Sequence, residues 1–524
     1  MDPEVGGSSP PNCTNPHFIR GDVLDQAIQL HQSGRLSEAE ALYRRVLAAQ
    51  PRNIDALHML AILCAQTGRP AQGLDWIGRA LALNPSFPEA WCNRGNMLLE
   101  LARWDEALAA YDRTIALGLA NASVHANRGK ALGGLQRSTA ALESFDAALA
   151  LEPDNVAALS DRGVVLMQLG RHQDALDSYH RALSQLPIAT IFANRANALQ
   201  EMLRPDEALA SFDLALALEP AHGETLWNKS LCLLRAGRLA EGLALYESRR
   251  KRAIWNDVRD YGCPEWTGAE LLQGKILLIH AEQGLGDTIQ FCRYAALAKA
   301  RGASVILSVQ SDAMVRLFQA LPVPVQGPGV LPKADFHIPL LSLPLAFGTT
   351  LATIPADIPY LAAEPERVAH WGARIGAQGF RIGVCWQGQA QVETARHFAP
   401  ELLALLAALP GVRLISLQKG GTAPVDRIES PGADFDTGPD AFLDSAALMQ
   451  SLDLVITVDT AIAHLAGALG RPTWVALRHL PDWRWFMERD DNPWYPGMRL
   501  FRQRKAGDWE SVLSQMQAAL TARR

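Results

Sequence analysis

The run GRLSEAEALYRRVLAAQP, Gly34 to Pro51, sets the fold of the first half of the chain. It opens on a Gly-Arg step, places a small residue at Ala39 and a large one at Tyr43, and closes on proline. The same frame returns at Gly68-Arg69, Ala102-Arg103, Gln136-Arg137, Gly170-Arg171, Leu203-Arg204 and Gly237-Arg238, every 34 residues with one interval of 33. The small position is refilled by Gly73, Ala107, Ala141, Ala175, Ala208 and Gly242, and the large one by Ile77, Tyr111, Phe145, Tyr179, Phe212 and Tyr246. Pro85, Pro153, Pro187 and Pro220 close further units. Self-similarity at such a period predicts stacked two-helix units. The small residue lets paired helices approach, the aromatic fills the space against the neighbouring unit, and proline stops the second helix.

This pattern resembles the tetratricopeptide repeat family, with seven units over roughly residues 20–256. The resemblance implies an α-solenoid that binds protein partners. The first helices carry Asn93, Asn127, Asp161, Asn194 and Asn228 at one repeat position, mostly within an N-R-G triplet. Two readings apply. A stacked row of amides can pair with an extended peptide backbone, as in the superhelical repeats of protein O-linked N-acetylglucosamine transferases, which this array resembles; such a ladder would hold an acceptor polypeptide. Alternatively the amides bond neighbouring helices to each other. Arg94, Arg128, Arg162 and Arg195 follow one residue later, to stack on the ladder or to pair with acids such as Asp112 and Asp146.

A chain of 524 residues predicts three to four domains. Its net charge of -6 lacks the basic balance of a nucleic-acid binder. The seven cysteines show no CxxC pair and no zinc-like Cys/His spacing, so no metal site is expected. MDPEVGGSSPPNCTNP at the start has neither a basic nor an apolar run, which predicts a disordered tail over 1–19 and no signal peptide. Without an apolar run of about 18 residues, no transmembrane segment is expected. The expected location is cytoplasmic.

After Arg250 the period stops. A connector at 257–273 leads into alternating strands and helices that predict two parallel-sheet lobes, 274–364 and 380–524, joined by a linker near Pro365–Gly379. The first lobe reads as strand KILLIH, a helix from Asp287 to Arg301, then strands ASVILSV and DFHIPL. The second reads as strands FRIGVCW, VRLISLQ, DLVITVD and PTWVAL, with helices between and a C-terminal amphipathic helix expected to pack across the lobes. Two strand-to-helix turns stand out. In EQGLGDTIQF, Gly284 and Gly286 free the backbone to approach a ligand and Asp287 is placed to cap the helix. In VDTAIAHLAGALGRP, Asp459 and Thr460 open a helix, His464 follows one turn on, and Gly470 stops it. The free N–H groups of a helix start favour phosphate. Each residue also has a plain structural use: Asp as a cap, Gly in a turn, His464 bonded to a carbonyl. Position favours function, because both turns lie at the carboxyl ends of strands, where open α/β sheets bind ligands.

These two motifs resemble those of the heptosyltransferase-like glycosyltransferases. The resemblance covers roughly residues 274–505 and implies the two-lobed, Rossmann-like B-type glycosyltransferase fold, a nucleotide-sugar substrate, no cofactor and no obligatory metal. It implies Asp287 as general base, and Asp459, Thr460, Ala461 and His464 around the donor diphosphate. Arg396, Gln418 and Lys419 are the candidates for further diphosphate contacts. The overall expectation is a tetratricopeptide α-solenoid followed by a two-lobed α/β domain that moves a sugar to a polypeptide held by the repeats. By analogy with other repeat-bearing glycosyltransferases, a bacterial surface protein such as flagellin is one such acceptor. A non-catalytic scaffold and a transferase acting on a saccharide are the alternatives. Trp483, Trp485 and Trp494 are expected to pack the second lobe or to line the donor base and sugar.

Overall fold

The computed structural model describes residues 22–252, 259–388, 396–419, 425–440 and 442–523. The tail expected at 1–19 lies outside these residues. The chain divides into two compact units between Met202 and Leu203.

The first unit is a row of helices: α1 (Asp22–Gln32), α2 (Leu36–Ala49), α3 (Ile54–Gln66), α4 (Pro70–Leu83), α5 (Pro88–Glu100), α6 (Trp104–Ala116), α7 (Ala122–Gly134), α8 (Ser138–Leu151), α9 (Val156–Gln168), α10 (His172–Gln185) and α11 (Ala189–Glu201). Each helix packs on the next. Gly34, Gly68 and Gly170 turn between paired helices with φ of 76°, 72° and 70°, a conformation glycine adopts without a Cβ clash. Ala39, Ala107, Ala141 and Ala175 are fully buried, as are Tyr43 and Tyr111. The aromatics do more than face the neighbouring unit. Three of them seat on the glycine of their own unit's N-R-G triplet or its equivalent: a Cβ on Gly95, Gly129 or Gly163 would lie 2.6, 2.9 or 2.3 Å from the rings of Tyr111, Phe145 or Tyr179.

The second unit begins with the remaining repeat helices, α12 (Pro205–Leu218), α13 (Gly223–Arg235) and α14 (Leu239–Tyr246). Two parallel sheets follow. One has the order β3-β2-β1-β4, from β1 (Ile276–His280), β2 (Ser304–Ser308), β3 (Val325–Gln326) and β4 (Phe336–Pro339). The other has the order β10-β9-β8-β5-β6-β7, from β5 (Phe380–Cys385), β6 (Val412–Ser416), β7 (Ile428–Glu429), β8 (Leu454–Val458), β9 (Thr473–Leu477) and β10 (Met498–Arg502). In each sheet the first strand, β1 or β5, is flanked on both sides, which makes a topological switch point beside its carboxyl end. Leu234, Leu243 and Tyr246 of α13 and α14 share one core with Leu277, Ile279 and Phe291.

Four expectations need correction. The helix expected from Asp287 to Arg301 is two, α15 (Leu285–Phe291) and α16 (Tyr294–Ala300). The chain bends where Arg293 buries its side chain and turns its Nε–H back onto the Gln290 carbonyl at 2.7 Å. The linker at Pro365–Gly379 is largely a helix, Pro365–Ile375, because Trp371 and Ile375 give it a buried face and the Trp371 indole N–H donates to Asp444 at 2.9 Å. Strands β3, β7 and β10 were not anticipated; each lies at a sheet edge, β3 beside β2, β7 beside β6 and β10 beside β9. The C-terminal helix, Trp509–Arg523, packs on the second lobe, burying Val512, Leu513 and Met516 with Trp474 and Phe501. Among the described residues no helix is long and apolar enough to cross a membrane.

Candidate functional site

After β1 the chain runs through Ala281, Glu282 and Gln283 to Gly284, which precedes α15. Asp287 caps this helix from its third position, not from the residue before it: its Oδ2 accepts the Gly284 N–H at 2.9 Å. Gly286 is required for a different reason from a sharp turn. A Cβ there would lie 3.0 Å from His464 Cδ2 and 3.4 Å from Ala461 Cα. The glycine turn of the first lobe thus lies directly against the helix Ala461–Ala468 of the second.

That helix follows β8. Asp459 leads into Thr460, whose extended backbone (φ -145°, ψ 172°) ends the strand and whose side chain makes no capping bond; its Oγ1 lies 3.2 Å from Thr457 Oγ1. Ala461 opens the helix, and Gly470 ends it in the left-handed region at φ 68°. His464 is buried, with Nδ1 3.1 Å from the Tyr495 hydroxyl and its ring stacked on Trp485 at 5.3 Å between centroids. Asp459 Oδ2 pairs with Arg396 Nη1 at 3.0 Å. Trp483, Trp485 and Trp494 are all buried, which makes them packing residues.

The third element was not singled out in the sequence. In the turn PDWRW, Arg484 donates through Nη2 to Asp287 and through Nη1 to Asp482 at 2.8 Å. Its guanidinium lies over the Trp483 ring at 4.6 Å. The only signal was a charged pair set among tryptophans. Asp287 and Arg484 are 197 residues apart, a separation that local patterns do not reach.

The structure therefore gathers Asp287, Arg396, Asp459, His464, Asp482 and Arg484 into one partly buried cluster. Burial raises the Asp287 carboxyl against the pull of Arg484. Burial likewise raises Asp459 against Arg396. At Asp482 burial is outweighed by Arg484 and Arg396, which hold the carboxyl low. Burial lowers the His464 imidazole to about 3, helped by Arg484, so the ring is neutral. Two guanidiniums thus face carboxylates of which Asp287 and Asp459 are the more easily protonated.

Gln418 and Lys419 are not brought into this cluster. Gln418 Oε1 accepts the N–H groups of Trp386 and Gln387 at 3.1 and 3.2 Å, which braces the loop after β5. Lys419 is exposed and makes no ion pair among the described residues.

The last repeat grips both sides of the site. On one side Arg249, just after α14, forms a bidentate pair with Glu282, both bonds at 2.9 Å, with 2% and 1% side-chain exposure. On the other, Arg235 of α13 donates to the Pro481 carbonyl at 2.9 Å, and the Tyr246 ring meets Trp483 edge-on at 5.8 Å.

In the first unit the row of amides does bond helix to helix. Asn93 Nδ2 lies 2.9 Å from His58 Nε2, and Asn127 Nδ2 donates to Asn96 Oδ1 at 3.0 Å. Asp161 faces Lys130 Nζ at 3.4 Å, and burial raises its carboxyl. Asn127 and Asp161 also line a groove of about 580 Å³ with Asn96, Glu100, Trp104 and Lys130. Arg128 and Arg162 pair with Asp112 and Asp146, each at 2.7 Å, which decides between their two expected roles. Asn194 and Asn228 are half-buried and make no hydrogen bond among the described residues.

Comparison with known proteins agrees with this architecture. Tetratricopeptide repeat profiles match residues 30–91, 77–109, 127–188 and 194–253. The profile of glycosyltransferase family 9 (heptosyltransferase) matches residues 438–477, which include Asp459 and His464. Protein FlbA of Caulobacter vibrioides is 28% identical over 373 residues, 63% of this chain and 61% of its own length. The chain therefore spans about three fifths of that curated relative. Among solved structures, YrrB, a TPR protein with an unusual peptide-binding site, is 22% identical with a TM-score of 0.33, covering 36% of this chain and 98% of that one. The Cut9-Hcn1 structure is 17% identical with a TM-score of 0.38, covering 45% and 47%. The chain thus carries tetratricopeptide repeats across its N-terminal region and, near its C-terminus, a stretch similar to the family 9 glycosyltransferases.

Proposed function

We propose that the protein is a cytoplasmic glycosyltransferase of the B-type fold that moves a sugar from a nucleotide-sugar donor to a polypeptide acceptor held by the repeats. The observation that carries this reading is the cluster itself. Two turns, each at the carboxyl end of a strand and each from a different lobe, supply Asp287 and the Asp459–His464 helix start to one place. The reaction is an in-line displacement at the anomeric carbon. Asp287 takes the proton of the acceptor hydroxyl; each of its oxygens keeps a lone pair beyond its bond to Arg484 or Gly284, and its raised pKa brings it nearer the range of a working base. The bond from sugar to diphosphate breaks as the new bond forms, and the leaving diphosphate takes up the negative charge. Arg396, Arg484 and the free N–H groups at Ala461 offset that charge. The nucleotide sugar is the substrate, with no further cofactor in the scheme. Support for a polypeptide acceptor comes from the groove lined by Asn96, Asn127 and Asp161, whose polar groups suit an extended backbone.

The test is a thermal-shift screen against nucleoside diphosphates and nucleotide sugars. A one-site ligand at 100 times its Kd adds about 2.7 kcal/mol. Asp287→Asn is expected to keep the shift and to lose transfer to a polypeptide, with flagellin the first acceptor to try. Absence of any shift, or transfer by Asp287→Asn at the parent's rate, would sink the reading and favour a scaffold.

A further inference from the structure

His464 is 5% exposed, and its Nε2 has no protein partner among the described residues. That nitrogen is not among the sealed, unpartnered polar atoms of the protein, so solvent or a ligand can reach it and complete its bond. The ring is stacked on Trp485, and Nε2 lies 3.7 Å from where a Cβ of Gly286 would be, so it faces the glycine turn of the opposite lobe.

Which nitrogen holds the proton follows from the neighbours of Tyr495. Tyr360 spends its only hydroxyl proton on the Ile289 carbonyl at 2.9 Å and accepts Arg293 Nη2–H at 2.7 Å. It has no proton left for Tyr495, whose hydroxyl is 3.4 Å away, beyond the usual reach of an O–H···O bond. Arg293 is a buried cation whose hydrogen bonds go to neutral oxygens: the Gln290, Pro355 and Trp494 carbonyls and Tyr360. It lies over the rings of Tyr360 and Tyr495 at 4.4 and 4.6 Å. Repulsion from that cation disfavours a hydroxyl proton turned toward it, and the acceptor left to the Tyr495 O–H is His464 Nδ1 at 3.1 Å. Nδ1 is then the acceptor, and the imidazole proton is on Nε2.

We propose that Tyr495 is a positioning residue that fixes His464 as the Nε2–H tautomer, so that the diphosphate contact the family resemblance already implies for His464 is made through an uncharged N–H donor. The ligand half of this proposal rests on the glycosyl-transfer reading; the tautomer half does not. In this role His464 neither takes nor gives a proton during the reaction. Burial, together with Arg484, Arg293 and Arg396, keeps it neutral against the opposing charge of Asp482.

Nitrogen-15 NMR of the full chain labelled at histidine reads the tautomer directly, with the His464 signal assigned from its loss in His464→Gln. The expected result is a neutral ring protonated at Nε2, unchanged between pH 5.5 and 8, and a shift toward the Nδ1–H form or a mixture in Tyr495→Phe. A parent ring protonated at Nδ1, or an imidazolium at pH 7, overturns the relay. For the ligand half the probes are ADP, UDP, GDP and inorganic pyrophosphate in titration calorimetry. His464→Leu is expected to weaken the best probe by about 10- to 100-fold, the range for a hydrogen bond to a charged group. His464→Gln, which keeps an N–H donor, is expected to recover most of that loss. Equal binding by parent and His464→Leu overturns the donor role. Failure of all four probes with the parent overturns the ligand assignment together with the glycosyl-transfer reading, while absence of the Nε2–H signature in the parent overturns the Tyr495 relay and the donor role and leaves the glycosyl-transfer reading standing.

Discussion

Replacing Arg249 with alanine isolates what the last repeat contributes to the α/β lobes. Arg249 and Glu282 are almost wholly out of water and meet through two bonds of 2.9 Å. Arg249 also donates to Ser342 Oγ at 2.7 Å and to Glu247 at 2.6 Å. Without the guanidinium, Glu282 keeps, among the described residues, only the Leu341 N–H, at 2.9 Å. A buried carboxylate left in that state costs roughly 3–5 kcal/mol. Adding Glu282→Gln to Arg249→Ala removes the orphaned charge and leaves a neutral amide, whose unmet bonds cost about 1–3 kcal/mol. The double variant is therefore expected to be more stable than Arg249→Ala alone. Because the chain has two compact units, one global transition does not describe it. The proper readout is hydrogen exchange at Glu282–Phe291 and Leu341–Leu343 together with the urea transition of the second unit. A cost of Arg249→Ala under about 1 kcal/mol, or a double variant less stable than the single one, would refute this role for the pair.

Other outcomes follow from the same structure. Gly163→Ala drives a Cβ to 2.3 Å from the Tyr179 ring and should cost about 1–3 kcal/mol in thermal unfolding of the first unit. Gly78→Ala, inside α4 with nothing within 4 Å, should instead gain up to about 1 kcal/mol. Glu40 is held at about 2 through its hydrogen bond to Arg69, with burial opposing and Arg44 assisting. Its contribution is full above the ordinary value of 4.5 and fades as pH falls toward 2. Glu40→Gln should therefore lower the unfolding midpoint at pH 6, by about 1 kcal/mol or less for so accessible a network, and match the parent near pH 2; a gap that persists in acid would contradict the assignment. In Arg484→Met, Asp287 loses its ionic partner while staying buried. Its carboxyl should titrate at higher pH than in the parent by carbon-13 NMR, and an unchanged titration would show that burial alone sets it.

The repeats were legible because their grammar is local. A small residue and an aromatic four apart, followed by proline, suffice to place each helix pair, and Arg128 and Arg162 find Asp112 and Asp146 sixteen residues back in the preceding helix. The strands were legible as short apolar runs. The bend at Arg293 was not, because its cause is acceptors drawn from residues 355, 360 and 494. The helix at Pro365–Ile375 was hidden because its buried face is defined by Asp444, on a distant element. Part of the site shared that fate. Asp287 and Asp459 carry a turn signature in the sequence, and Arg396 and His464 were also candidates there, whereas Asp482, Arg484 and Tyr495 acquire meaning only once the two lobes meet. Gln418 stands at a strand end, and its oxygen accepts from the backbone of the loop after β5, a bond that no local pattern announces.

The break between Met202 and Leu203 falls inside the repeats, so periodicity and compactness give different seams. A fragment cut where the 34-residue pattern ends would lose Tyr246 and Arg249 and bare the core faces of Leu277, Ile279 and Phe291 to water. Upstream of residue 203 the main helix contacts run between sequence neighbours, so modules could be added or deleted there as interchangeable parts. For recombination, whether in a laboratory or over evolutionary time, the last repeat travels with the α/β half as part of a single heritable piece.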